Sequence, residues 1–200
     1  MTMDDIPHFN DRLLVAIGAS AGGLREIVTI VESLPTWFAG TLVVATHRDP
    51  RSPNILAEIL AKRASIRVDE PTDEAQLECT TIYVGKANER VEVDQEEFSV
   101  ETDSSSYARL HRIDDLFTSV AKSAGKDAVG VILSGMLSDG VEGLKAINDA
   151  GGYCIVQSPA DADFPSMPTN ALSHVDVDFV GTAQEIASFI MEISLGRNCS

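Results

Sequence analysis

The sequence predicts an α/β fold, a doubly wound, mostly parallel sheet with helices on both faces and a small antiparallel hairpin insertion. Three observations predict it. Short, fully apolar runs alternate with stretches of helical spacing, the pattern of strands that crossover helices bury on both faces. The first apolar run passes straight into a small-residue turn and then a helix, as at the head of a β/α unit. A more polar middle section carries short strand-like segments with turn residues between them, which marks an insertion rather than another β/α unit.

Taken in order, Leu13 to Ile17 is a strand that ends in Gly18-Ala19-Ser20-Ala21-Gly22. Leu24, Ile27, Val28, Val31 and Leu34 then fall at helical spacing, and Pro35 stops the segment. Thr41 to Thr46 is a second strand ending at His47. Pro53 and the stripe Ile55, Leu56, Ile59 and Leu60 predict a helix. Short strands near 81–84, 90–93 and 97–100, with Asp94 to Glu97 as a turn between the last two, read as a meander or hairpin. Ser104-Ser105-Ser106 marks a loop, after which Ile113, Leu116, Phe117, Val120, Ala121 and Ala124 repeat as a helix closed by Gly125. Ala128 to Leu133 is a fully apolar strand. Asp139 to Ala150 predicts a helix, stopped by Gly151-Gly152, with Asp139 and Glu142 at capping-box spacing. Tyr153 to Gln157 is another strand, and a last helix starts at Thr182 with Glu185 in the same capping relation. Residues 1–12 are expected to be a polar tail and 13–196 one domain.

Composition removes several function classes. A net charge of -16 opposes a phosphate surface, so neither nucleic acid nor an anionic membrane is the expected partner. No apolar run approaches the roughly 20 residues of a membrane helix, and the polar start does not resemble a secretory signal. Cys79, Cys154 and Cys199 lack metal-ligand or redox spacing. They read as reduced thiols of a cytoplasmic protein.

The turn after the first strand has the Gly-x-Ser-x-Gly form. Small residues on both sides let the backbone bend sharply and lift the Ser20 hydroxyl clear of the sheet, and the helix that follows starts with unpaired N–H groups that suit a developing negative charge. Dinucleotide binding is the competing reading. It fails on spacing, because its glycine patterns need glycine at position 20 or 24, which hold Ser20 and Leu24. Nor does Tyr83, Tyr107 or Tyr153 have a lysine four residues on, so a Tyr/Lys proton-transfer pair is missing.

In a sheet of this kind ligands sit at the carboxyl ends of the strands. Ser20, His47 and the loop Ser134-Gly135-Met136-Leu137-Ser138-Asp139-Gly140 follow three such strands. They supply a nucleophile, a base and a carboxylate to orient it. The structural alternatives are an ordinary loop histidine and an aspartate that only caps its helix. Arg48, Arg51, Arg109 and Arg112 flank this edge on an otherwise acidic chain, where they either dock an acidic partner or pair with local acids.

These segments together resemble the catalytic domain of the CheB family of chemotaxis protein-glutamate methylesterases. The resemblance rests on Ile17 to Gly23, Thr46-His47 and Leu133 to Gly140. Ile113-Asp114-Asp115-Leu116-Phe117, Ala150-Gly151-Gly152 with Gln157, and Ser166-Met167-Pro168 add to it, all in family order over roughly residues 13 to 193. It implies a doubly wound domain that hydrolyses glutamate γ-methyl esters on chemoreceptor helices and releases methanol, with no metal or organic cofactor. Carried over, Ser20 is the nucleophile, His47 the general base and then acid, and Asp139 the orienting carboxylate. The backbone N–H groups of Ala21 and Met136 are the oxyanion donors.

The sequence departs from the family around the substrate rather than in this triad. Only a short tail stands where members carry a receiver domain, so control by phosphorylation in cis is not expected. Leu137 replaces a usual glycine, which strains the loop if that position has positive φ. His47 sits in Thr-His-Arg-Asp-Pro, where chemotaxis members often have glutamine before the histidine. Gly85 to Arg90 lacks a family histidine, and His111-Arg112 replaces proline-serine. Two alternatives stay open at this level: a protein-glutamine deamidase using the same triad, and a non-catalytic signalling interaction domain.

Overall fold

The computed structural model describes residues 11–49, 55–103 and 105–199, apart from the side chains of residues 106, 108 and 109. The main sheet has seven strands: β1 (Leu13–Ala19), β2 (Gly40–Thr46), β3 (Arg67–Asp69), β4 (Thr81–Val84), β7 (Ala128–Ile132), β8 (Tyr153–Gln157) and β9 (Phe179–Gly181). Their order is β3-β4-β2-β1-β7-β8-β9, and every pairing is parallel. The antiparallel pair β5 (Glu89–Asp94) and β6 (Glu97–Thr102) forms a separate hairpin. The chain lays β2, the edge strand β3 and then β4 between them on one side of β1, and returns to add β7 on the other. Order therefore reverses between β1 and β7, the kind of crevice in which α/β sheets bind ligands.

Every residue of β1 is buried, because both sheet faces are covered. Leu14 and Ala16 enter a core with Ile113, Phe117, Leu144 and Met167, contributed by α3 (Ser106–Ala124), α4 (Val141–Asp149) and α5 (Ser166–His174). Leu13, Val15 and Ile17 enter the opposite core with Ile27, Val31, Leu60 and Ile190, from α1 (Leu24–Ser33), α2 (Ile55–Ala61) and α6 (Ala183–Ser194). The period-2 alternation of the strand thus splits one apolar run between two cores.

Several expectations change on contact with the fold. Segment 81–84 is not part of a meander; it joins the main sheet beside β2, leaving only 89–102 as the inserted hairpin. That hairpin is seated on α3 through polar contacts: Val93 N–H donates to Ser119 Oγ (3.0 Å) and Ser123 Oγ donates to Val93 O (3.0 Å). The helix expected from Asp139 begins at Val141 with Gly140 as N-cap, and the Asp139 carboxylate does not cap it. The capping box at Thr182 and Glu185 forms as its spacing predicts. Cys79 and Cys199 are joined in a disulfide, contrary to the expectation of three reduced thiols, while Cys154 is free and buried. The fold brings the last described residues against the loop before β4, a proximity that spacing of 120 residues does not announce. Among the described residues no helix is long and apolar enough to cross a membrane.

Candidate active site

Strand register brings the three predicted elements together. Ala19 pairs with Thr46 at the ends of β1 and β2, so Ser20 and His47 are the next residues on each, and His47 N–H donates to Ala19 O (3.3 Å). On the other side Leu133 N–H donates to Gly18 O (2.9 Å) and Ser20 N–H to Ser134 O (3.0 Å). The serine turn is therefore clamped between the β2 and β7 ends.

The turn needs its glycines. Gly22 has φ +77, and a Cβ there falls 2.9 Å from Asp163 Cβ, Phe164 Cδ2 and Ser134 Oγ. A Cβ on Gly135 meets Met167 Sδ and lies 2.9 Å from Ser20 Cβ, so the β7 loop packs directly on the serine. Helix α1 starts at Leu24, after a turn closed by Gly23 N–H to Ser20 O (3.2 Å), rather than at the serine itself.

His47 Nε2 lies 2.7 Å from Asp139 Oδ2. The imidazole is 18% exposed and the carboxylate 2%, so the contact is shielded from water on the aspartate side. Occupation of Nε2 leaves Nδ1 as the ring nitrogen available to take a proton. Asp139 is held further by Ile113 N–H on Oδ2 (3.1 Å) and Asp114 N–H on Oδ1 (2.9 Å). Its carboxylate serves α3 and His47 instead of its own helix.

Among the described residues, neither the Ala21 nor the Met136 N–H donates to a protein acceptor. Both lie in loops that flank Ser20, which suits them to an incoming oxygen. Beside Met136, Leu137 has φ +73, the strained left-handed conformation that its place in a glycine-bearing family motif predicts. Asn170 Nδ2 donates to Leu137 O (2.7 Å) and holds the loop in that shape.

Sequence reasoning did not assign Ser134, which ties the site's loops together. Its N–H donates to Gln157 Oε1 (2.8 Å), its Oγ donates to Ala21 O (2.9 Å), and that Oγ accepts from Phe164 N–H (3.0 Å). A fully buried hydroxyl among small residues carries no pattern to distinguish it from an ordinary loop serine. Asp114 was also missed, although it stands in one of the family-like segments.

The arginines fare unevenly. Arg112 is 4% exposed, which corrects its assignment to a docking surface: burial leaves a partner protein no guanidinium to meet. Arg48 is half-buried and donates to Gly85 O; burial, then the neighbouring Arg112 charge, lower its guanidinium pKa. Arg51 lies outside the described residues, and so does the Arg109 side chain. Among the described residues no group of three or more His, Cys, Asp or Glu side chains is arranged to hold a metal ion.

The sequence model of the CheB methylesterase family matches residues 15–190. A putative protein-glutamate methylesterase/protein-glutamine glutaminase of Leptospira interrogans is 31% identical over 180 residues, 90% of this chain and 93% of that protein. The protein-glutamate methylesterase/protein-glutamine glutaminase of Escherichia coli is 31% identical over 196 residues, covering 96% of this chain but 56% of the relative. The chain thus spans about half the length of such enterobacterial relatives. The crystal structure of the Thermotoga maritima CheB methylesterase catalytic domain superposes with a TM-score of 0.85 at 24% identity, over 91% of this chain and 98% of that one.

Proposed function

The chain belongs to the CheB methylesterase family, and we propose from that membership that it hydrolyses glutamate γ-methyl esters on chemoreceptor helices, releasing methanol. The observation that carries this reading at the level of residues is the 2.7 Å contact between His47 Nε2 and Asp139 Oδ2, with Ser20 one position past the β1–β2 register pair.

In this reading Nε2–H donates to Asp139, which fixes the tautomer and leaves Nδ1 as the base. Ser20 Oγ attacks the ester carbonyl carbon while its proton passes to Nδ1. The carbonyl oxygen becomes an oxyanion and is met by the Ala21 and Met136 N–H groups. The tetrahedral intermediate collapses, the C–O bond to the methoxy group breaks, and the imidazolium returns the proton so that methanol leaves. Water then attacks the acyl-serine, His47 takes its proton, and the glutamate carboxylate and free serine are restored.

The same acyl-enzyme forms from a glutamine side chain, with ammonia as the leaving group. The names of the relatives pair both activities, which supports deamidation as a second activity of this site. The exposed Met136 and Leu137 beside Ser20 suit a protein surface as the substrate carrier.

The test is release of methanol from radiomethylated chemoreceptor membranes, with ammonia release measured in parallel on glutamine-bearing receptor. Wild type is expected to release methanol, and Ser20→Ala to lower the rate by about 10³-fold or more. A folded wild type that releases neither product, or a fully active Ser20→Ala, overturns the reading.

A further inference from the structure

Asp114 takes no part in the chemistry just described, yet it is bonded to the residue that orients His47 from both sides. The two aspartates are cross-anchored. Asp139 accepts from the Ile113 and Asp114 N–H groups of α3, at 3.1 and 2.9 Å. Asp114 Oδ1 in turn accepts from Gly140 N–H (2.9 Å) and Gly143 N–H (2.8 Å), at the start of α4. Gly140 directly follows Asp139, so holding its N–H holds the peptide from which the Asp139 side chain projects. The α4 N-cap supplies no side-chain cap of its own, and Asp114 fills that place from another helix.

We propose that Asp114 is the positioning residue of this site: its carboxyl caps α4 at Gly140 and Gly143 while its own N–H holds the Asp139 carboxylate, and together these keep Asp139 aligned on His47 Nε2. The inference rests on the catalytic reading above.

The electrostatics of the pair support it. Burial pushes the Asp114 carboxyl up to about 6, against the pull of the Gly143 and Gly140 N–H groups, and the Asp139 charge raises it further. Ionisation of Asp114 therefore sets a second negative charge beside the Asp139 carboxylate. The other charged groups around Asp114 are few. His111 Nδ1 lies 3.9 Å away on the same helix. On the hairpin Arg90 Nε pairs with Asp115 instead, at 2.9 Å. On α4, Glu142 and Lys145 face solvent, and His47 lies beyond Asp139.

Asp114→Asn separates positioning from bulk. Its Oδ1 retains both backbone donors and its side chain is uncharged at every pH, while Asp114→Ala removes both contacts. In wild type the kcat–pH profile is expected to inflect near 6. Asp114→Asn is expected to lose the Asp114 component of that profile, which alters its shape around pH 6 with KM unchanged, and Asp114→Ala to lose about 10- to 100-fold in kcat. Amide ¹H–¹⁵N shifts provide a readout that needs no substrate. In wild type the Ile113 amide, bonded to Asp139, is expected to titrate with the Gly140 and Gly143 amides at one midpoint near 6, and all three to flatten in Asp114→Asn. A common midpoint that persists in Asp114→Asn, an Ile113 amide that ignores the titration, or wild-type kcat in Asp114→Ala overturns the proposal. Should Asp114→Ala fail to fold, the Asp114→Asn arms decide. The amide titration stands even if the protein hydrolyses no ester, so failure of this proposal and failure of the catalytic reading are distinguishable.

Discussion

Asp139 Oδ2 and His47 Nε2 meet at 2.7 Å across 92 residues of sequence, and the same carboxylate accepts two backbone N–H groups from α3. A single buried side chain thus joins the end of β2 to the α3–α4 face. The orientation of the imidazole is set by packing of whole elements and not by a local turn.

In the proposed mechanism Asp139 fixes the imidazole tautomer, and replacing it by asparagine preserves its shape but removes its charge. We expect Asp139→Asn to remain folded and to lose about 10³- to 10⁴-fold in kcat for ester hydrolysis. Circular dichroism and methanol release, measured on the same preparation, check both halves of this expectation.

Leu137 at φ +73 has an exposed side chain, so little burial offsets its backbone strain. The left-handed conformation costs a leucine about 1–2 kcal/mol. Glycine avoids that cost but loses about 0.5–1 kcal/mol of chain entropy on folding. Leu137→Gly is therefore expected to stabilise the protein by about 0.5–1 kcal/mol, raising Tm by about 2–3 °C in a chain of this size. Thermal denaturation followed by circular dichroism reads this directly, and an unchanged or lower Tm counts against the strain.

Gly22 is the opposite case. Gly22→Ala forces a Cβ into space held by Asp163, Phe164 and Ser134 at a positive φ. A loss of about 1–3 kcal/mol is expected in urea unfolding, together with loss of hydrolysis as Ser20 shifts.

The raised Asp114 carboxyl makes stability depend on pH. Its folded pKa of about 6 lies above the ordinary value of 3.8, so between those values the native state binds the larger share of a proton. Unfolding free energy from this group is therefore full below about pH 3.8 and declines as pH rises to 6. Urea unfolding from pH 4 to 7 should show wild type losing stability relative to Asp114→Asn over that window. A constant difference between the two proteins refutes the shift.

The disulfide closes a loop of 120 residues. Cys199→Ser, or reduction by dithiothreitol, is expected to cost about 2–4 kcal/mol through the larger entropy of the unfolded chain. Thermal unfolding with and without reductant measures it, and mass spectrometry under non-reducing conditions counts the free thiols.

Legibility in the sequence followed the strength of local pattern. The strands β1, β2, β7 and β8 were visible because burial on both faces demands unbroken apolar runs, and α6 because its capping box is a local exchange of hydrogen bonds. The three-residue strands β3 and β9 were not visible. At that length alternation cannot build up, and only a neighbouring strand turns such a segment into a ladder. Helix α5 was missed because Pro168 and scattered polar residues blur its face, though Met167 and Ala171 are buried.

By itself the sequence determined the order of β/α units, the sharp turn that presents Ser20, and the common sheet edge that receives Ser20, His47 and Asp139. These follow from residue size, periodicity and the handed connection of parallel strands, which act over a few residues at a time. The tertiary structure alone decided that Asp139 serves His47 rather than its own helix, that Asp114 caps α4 in its place, that Arg112 is buried, and that Cys79 meets Cys199. Each of those depends on which distant groups the packed cores leave within about 3 Å of one another, a distance range in which hydrogen bonds are made or lost.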